Sequence, residues 1–487
     1  MSCYPKKPLH RHPRGGYLML LALIYGTIFL TVLGALSSFV LTENHAQSAS
    51  TGRSKALAIA EAGLEYYRWH LAHFPTDLKN GTGTAGPYTI PYNDPEGAQA
   101  GTITLDIDGN LSCGQITSID ITSTGAPNDG SNVSRTIYAK YAQPTVAQYS
   151  YILNDSVWAG DDRVISGPYH SNGGIRMDGT ANAPVTSSVS TWSCTSSFGC
   201  APTKTENGVW GSGPNQYLWS YPTPQVDFSG ISADFSALKT KARAAAPDGG
   251  IYLARYSSGT NTSNASYWRG YHLTFNANGT VTVKKVTNTS SLSVSPINTA
   301  DSSTDHTNIT SESSFNTYTI PSSCGLIFVE DNVWVDGVIP SKVTLVAANV
   351  VTSGIAPNAM LDGDITYANS NAGLTLIAEN DVLITADSPQ NMTLNGVFVA
   401  QGGAFGRNYY GAYGCGGTYE PRGTLTIHGT TVSNKRTGTK WVNGCGGGND
   451  SGYQVRIDAY DRALATDPPP FTPTISTVYQ FVDWHEE

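Results

Sequence analysis

The sequence predicts a mainly β protein with one long N-terminal α-helix, a small antiparallel sheet and then a parallel β-helix. Three observations predict it. An uncharged run from Tyr17 to Leu41 continues, without proline, into an amphipathic stretch that ends at Phe74. Segments between about Pro87 and Gln143 alternate apolar and polar residues, as half-buried strands do. Short apolar strands broken by Gly and Asn fill residues 147–190 and return over 319–458. A β-sandwich with Greek-key connections is the alternative architecture.

The helix comes first. An uncharged run of about 25 residues is a helix of about 37 Å, longer than the ~30 Å hydrocarbon core of a bilayer. A secretory h-region is only about 7–15 residues long, so the length favours a retained segment over a cleaved signal peptide. Lys6, Lys7, Arg11 and Arg14 precede the run with no acid among them. The positive-inside rule then makes residues 1–16 a cytoplasmic leader, residues 17–41 a transmembrane segment, and places the rest outside the cell membrane. Beyond the span, Leu57, Ala60, Leu64, Tyr67, Leu71 and Phe74 recur at steps of three and four, one apolar stripe of a helix that Pro75 stops. Residues 42–146 are therefore read as the outer half of the helix together with a small sheet on which the stripe packs.

The residues Gly15 and Gly16, the apolar stem and "ALAIAEAGLEYY" (residues 56–67) resemble the N-terminal region of PilX-type pilus assembly proteins, which are minor-pilin-like components of type IV pilus systems. The resemblance covers roughly the first 75 residues. It implies a membrane-anchored subunit with pilin or minor-pilin partners, and prepilin-type processing between Gly16 and Tyr17. Leu21 stands where ordinary prepilins carry Glu. The later modules resemble, more loosely, the repetitive β-rich ectodomains found behind such stems.

Charged residues make up 13% of the chain, against about 25% in an average soluble protein. With 51 Gly and abundant Ser, Thr and Asn, that is the surface of an extracellular β-structure, and 39% hydrophobic content with 27 Tyr argues against disorder. Net charge is −9, and setting aside the four cations of the leader leaves about −13 for the remainder, which carries no nucleic-acid footprint. Of seven cysteines, Cys3 lies in the leader. The other six lie outside, where oxidation is allowed. Cys194 and Cys200 bracket a short loop, Cys415 and Cys445 both sit in Gly-rich stretches, and Cys113 with Cys324 is left by elimination. No CxxC spacing occurs, so a metal centre on these cysteines is not expected.

Along the chain, "PYTIPYN", "GTITLDID", "ITSIDITSTG" and "SRTIYAKYA" read as four antiparallel strands, with turn chemistry at "DGN" and "APNDGSN". Residues 147–190 read as the first β-helix coils and residues 319–458 as the late coils, the coil length being near 20 residues. Thr375 and Thr393 then occupy neighbouring coils, with Thr426 beyond a Gly/Tyr-rich insertion. Residues 191–318 read as an insertion between these halves, containing a helix over 231–246 and a hairpin at "NANGT". The Pro-rich tail, residues 459–487, is expected to cap an open end of the stack.

Candidate sites are few. Asp106, Asp108 and Asn110 alternate like the start of a calcium loop, but Thr117 stands where the closing Glu should be, so a strand and turn is the plainer reading. Asp161, Asp162, Arg163 and His170 cluster in sequence and read as solvated corner residues. No Walker, dinucleotide, GxSxG or HExxH pattern occurs, so no enzyme activity and no cofactor are expected. Tyr409, Tyr410, Tyr413 and Tyr419 form the best candidate binding surface, since Tyr offers amphipathic contact area at small entropic cost. Surface glycans are the ligand class such a patch suggests. The function expected is a membrane-anchored surface subunit displaying a β-helical head for structural or adhesive interaction. A tethered β-helix enzyme acting on carbohydrate and a plain surface adhesin are the alternatives.

Overall fold

The structure, a computed structural model, describes residues 16–259, 266–297, 304–411, 415–446 and 449–486. One helix, α1 (Gly16–His73), precedes two β bodies. It runs unbroken through both the uncharged segment and the amphipathic one, as the absence of proline requires. The small sheet contains β1 (Tyr88–Asn93), β2 (Gln99–Ser112), β3 (Gln115–Pro127) and β4 (Arg135–Ala142), all antiparallel and in chain order.

The outer half of α1 lies on this sheet. Ile59, Ala60, Leu64, Tyr67 and Leu71 are buried against Ile103, Leu105, Ile119, Ile121, Ile137 and Tyr141. Phe74, expected on the stripe, is exposed, because the helix has already ended. Each large side chain so buried stabilises the contact by about 1.5–3 kcal/mol. Gly63 permits the close approach, since a Cβ there would fall 2.3 Å from Ser123 Oγ. Two hydroxyls fix the register of helix on sheet: Ser123 Oγ donates to the Ala60 carbonyl and Tyr141 Oη to the Leu64 carbonyl, both at 2.8 Å.

The turn expected at "DGN" is elsewhere. Asp108, Gly109 and Asn110 continue β2, and the chain reverses at Cys113 and Gly114, with φ of 53° and 67°. Two consecutive left-handed residues are the requirement of a tight type I′ hairpin, whose twist matches the strands. Asp106, Asp108 and Asn110 therefore stand exposed along one strand face, with Asn110 Nδ2 donating to Ser118 Oγ and Asp120. They do not form a calcium loop.

The larger sheet is mostly parallel and winds as stacked coils. In one ladder Leu326 pairs with Thr344, Thr344 with Thr375, Thr375 with Val397 and Val397 with Thr430. Successive returns take unequal lengths of chain, so the coil is not uniform near 20 residues. Thr375 consequently faces Val397 and not Thr393, whereas Thr393 does face Thr426. Inside, Ile339, Leu345, Leu361, Leu376, Ile384, Leu394, Phe398 and Ile427 form one continuous buried core.

Stacking order departs from chain order. Tyr151–Leu153 pairs with Thr431–Ser433, and Arg163–Ser166 with Arg456–Ala459. The first coils therefore sit on the late coils. Beyond them Val185 pairs with Trp219, while at the far side of the late coils Ile251 pairs with Ile327. The residues read as an insertion thus contribute coils at both ends of the stack, and the chain between 221 and 250 crosses from one end to the other. Its helix, Phe235–Ala242, is shorter than the 231–246 expected because Asp234 caps it, accepting from the Ala237 amide. It packs Leu238 and Ala242 on Leu326 and Phe328. The "NANGT" hairpin joins Gly270–Asn276 to Thr280–Thr289 as expected.

The tail does not cap the stack. Thr344 Oγ1 and Thr375 Oγ1 meet Pro470 and Thr472 on its flank, and the last strand, Gln480–Glu486, pairs antiparallel with β4. The exposed edge of β4 and a ring contact of Tyr141 with Phe481, 4.4 Å between centroids, give that strand a better-paired position than a coil end would. The whole parallel body is therefore inserted between the fourth and fifth strands of the small sheet.

Three disulfides join the pairs expected: Cys113–Cys324, Cys194–Cys200 and Cys415–Cys445. The first ties the β2–β3 turn to the start of a late coil, beside a backbone bond from the Cys113 amide to the Ser323 carbonyl at 2.8 Å. Non-reducing peptide mapping should recover all three linkages. A free thiol or an exchanged partner at Cys113 or Cys324 would remove the covalent tie between the two bodies.

Candidate functional site

The stem is the first functional surface. From Tyr17 to Leu41 the apolar side chains of α1 face outward; Tyr17 and Leu18 are 76% and 77% exposed. This half is long and apolar enough to cross a membrane, with a mean hydropathy of 2.3 over its best window. Two of its hydroxyls are satisfied within the helix: Thr27 Oγ1 donates to the Ile24 carbonyl and Thr31 Oγ1 to the Ile28 carbonyl. Internal satisfaction is what an apolar solvent demands of a hydroxyl. Gly16 is the first residue of α1 and Tyr17 the first of the exposed run.

The tyrosine surface is largely a packed interior. Tyr410 is fully buried and its hydroxyl donates to Asp305 Oδ2 at 2.6 Å. Tyr409 is half-buried, donates to the Gly444 carbonyl and meets Trp441 edge to face. Tyr419 is half-buried, with its ring against Tyr410. Tyr413 lies outside the described residues. The loop is pinned from beneath by a buried ion pair, Arg407 Nη1 to Glu420 Oε1 at 2.6 Å, and by Arg407 Nη2 donating to the Ala386 and Tyr419 carbonyls. Aromatic density in a Gly-rich stretch signals packing here, because Gly lets the backbones approach and the rings fill what remains.

The corner residues also differ from expectation. Arg163 is buried and its Nε donates to Asp458 Oδ2 at 2.6 Å. Asp162 receives two bonds from Arg456, at 2.7 and 2.8 Å. Burial alone would raise the Asp162 carboxyl, but the Arg456 guanidinium overrides it and holds the group below the usual carboxylate range. Asp161 is exposed, and His170 is buried with Thr186 and Asn172 on its ring nitrogens. Asp162 and Arg163 are thus the charged seam that joins the first coils to the late ones. Beside the seam opens a cleft of about 570 Å³ lined by Trp158, Trp441, Lys435, Arg436 and Lys440. Lys440 reaches Asp162 and Asp450, and Arg436 donates to the Ser197 carbonyl, so these cations are committed to the protein itself.

One cluster has no counterpart among the sequence expectations. His272, Asp336 and Asp362 meet on the flank of the stack, with Glu312 behind the imidazole. Sequence carries a faint signal for it. The triplet apolar-Asp-Gly occurs in adjacent coils, as Val335–Gly337 and Leu361–Gly363, and "YHLTF" is the strand that pairs next to them.

No family matches this chain. No curated protein matches it either. Among solved structures it is similar to the competence-associated pilin ComZ from Thermus thermophilus. The identity is 14% over 90% of this chain and 98% of that one, with a TM-score of 0.29, too low for any argument to rest on it.

Proposed function

We propose that this chain is a membrane-anchored, minor-pilin-like subunit of a type IV pilus system whose β-helical head serves a structural or adhesive role at the cell surface. One observation carries the reading. A single unbroken helix is divided into an apolar half left exposed among the described residues and an amphipathic half buried on a small antiparallel sheet. The free half needs an apolar surrounding, either lipid or the like halves of neighbouring subunits, and the buried half couples it stiffly to the head. The PilX-like stem residues support the same assignment, with pilin or minor-pilin subunits as partners and the N-terminus on the cytoplasmic side.

Fractionation tests it. The native protein should resist carbonate extraction and appear in the sheared-filament fraction, and the mature chain should begin at Tyr17 by mass. Release by carbonate together with absence from filaments would overturn the proposal. Retention in the membrane with an intact leader and no filament fraction would replace it by a plain anchored adhesin.

A further inference from the structure

The strand Gly270–Asn276 pairs in parallel with Asn332–Ile339, which pairs in parallel with Ala359–Tyr367. Between the last two the register breaks at Asp336: Val335 faces Leu361, but Gly337 faces Ile365. Because Val335 faces Leu361, the next residues, Asp336 and Asp362, stand side by side where the regular pairing ends, near His272 on the neighbouring strand. One ligand atom from each of the three lies within 4.8 Å of the other two. His272 Nε2 is 3.4 Å from Asp336 Oδ2. A tetrahedral zinc with bonds near 2.0–2.1 Å spaces its ligands about 3.4 Å apart, so this edge is already at ligand spacing.

The surroundings match a metal centre in two further ways. His272 Nδ1 faces Glu312 Oε2 at 2.9 Å, and Glu312 is itself held by Lys284 Nζ. A carboxylate on the far nitrogen fixes the tautomer that leaves the near nitrogen free to ligate. Asp336 Oδ1 is buried and has no hydrogen-bond partner among the described residues, which leaves an acceptor open to a ligand.

We propose that His272, Asp336 and Asp362 bind one divalent transition-metal cation, Zn²⁺ in preference to Ca²⁺ or Mg²⁺, with Glu312 orienting the imidazole. One imidazole and two carboxylates suit zinc, whereas calcium takes six to eight oxygens and magnesium keeps most of its water. Three protein ligands leave a fourth position for water or for a donor group of a partner. The site joins the strand Gly270–Asn276 to two successive late coils, so a bound ion would also lock that end of the stack. The inference does not depend on the anchor reading.

Full-length protein in detergent, stripped with chelator, should bind one equivalent of Zn²⁺ by titration calorimetry, and an excess of Ca²⁺ should not displace it. Co²⁺ in its place should give the intense visible bands of a tetrahedral site. His272→Asn and Asp362→Asn should each lose that equivalent. Glu312→Gln should keep the stoichiometry and weaken affinity about 10–100-fold. Thermal melts in chelator keep the comparison fair. Asp362→Asn removes a half-buried carboxylate next to others, so it should fold at least as well as the parent without metal. No Zn²⁺ equivalent in the parent, or an undiminished one in both His272→Asn and Asp362→Asn, would overturn the proposal. Stronger binding of Ca²⁺ than of Zn²⁺ would overturn the choice of metal.

Discussion

Leu394→Asp should unfold the parallel body under conditions where the parent is stable. Leu394 is fully buried in the continuous core, opposite Ile365 in one neighbouring coil and Ile427 in the other. Truncating a buried Leu costs about 2–5 kcal/mol by itself. The carboxyl adds the expense of an unpaired polar group among Ile, Leu and Phe, so the total is about 5 kcal/mol or more. Stacked coils bury their apolar residues only against each other, and a breach at one coil uncovers two neighbours. Ile384→Asp should behave alike, since Ile384 belongs to the same core. Asn395→Asp is the control. Asn395 is the next residue, half-buried on the outer face, and its change should cost less than about 1 kcal/mol. Limited proteolysis and thermal melts of the detergent-solubilised chain read the result. A resistant Leu394→Asp protein would mean that the strand register is wrong.

Arg407→Met should cost about 3–5 kcal/mol, the penalty for leaving a buried carboxylate without its cation. Arg407 is 0% and Glu420 2% exposed, so the carboxylate would lose its cation inside the protein. Glu420 Oε2 also accepts from the Gly452 amide, so the pair ties the Gly-rich loop to the strand Asn449–Ala459. The double change Arg407→Met with Glu420→Gln should recover much of the loss, because replacing both partners leaves neither half of the pair buried alone. Urea midpoints measured on the parent, the two singles and the double give the coupling directly. If Arg407→Met and Glu420→Gln were additive and each small, the pair would not be what holds the loop, and Cys415–Cys445 with the packed tyrosines would do so instead.

The sequence by itself determined those features that follow from local periodicity and chain length. An uncharged run followed by a three-four stripe can bury its apolar face in only one way, so α1 and its contact with an antiparallel sheet were legible from Leu57, Ala60, Leu64, Tyr67 and Leu71. The cysteine pairs were legible too, by neighbourhood for Cys194 with Cys200 and Cys415 with Cys445 and by elimination for Cys113 with Cys324. Tertiary structure decided the rest. Short parallel strands of similar composition can pair with many others, and alternation says which face is buried without saying against whom. The partner of Tyr151–Leu153 was therefore settled by long-range complements such as Arg163 with Asp458 and Asp162 with Arg456, nearly the full length of the head apart in sequence. The last strand was settled by a free edge at β4 that no local pattern announces. The same holds for His272, Asp336 and Asp362: the pairing of Val335 with Leu361 sets the two carboxylates side by side, and no local pattern says which strands will pair.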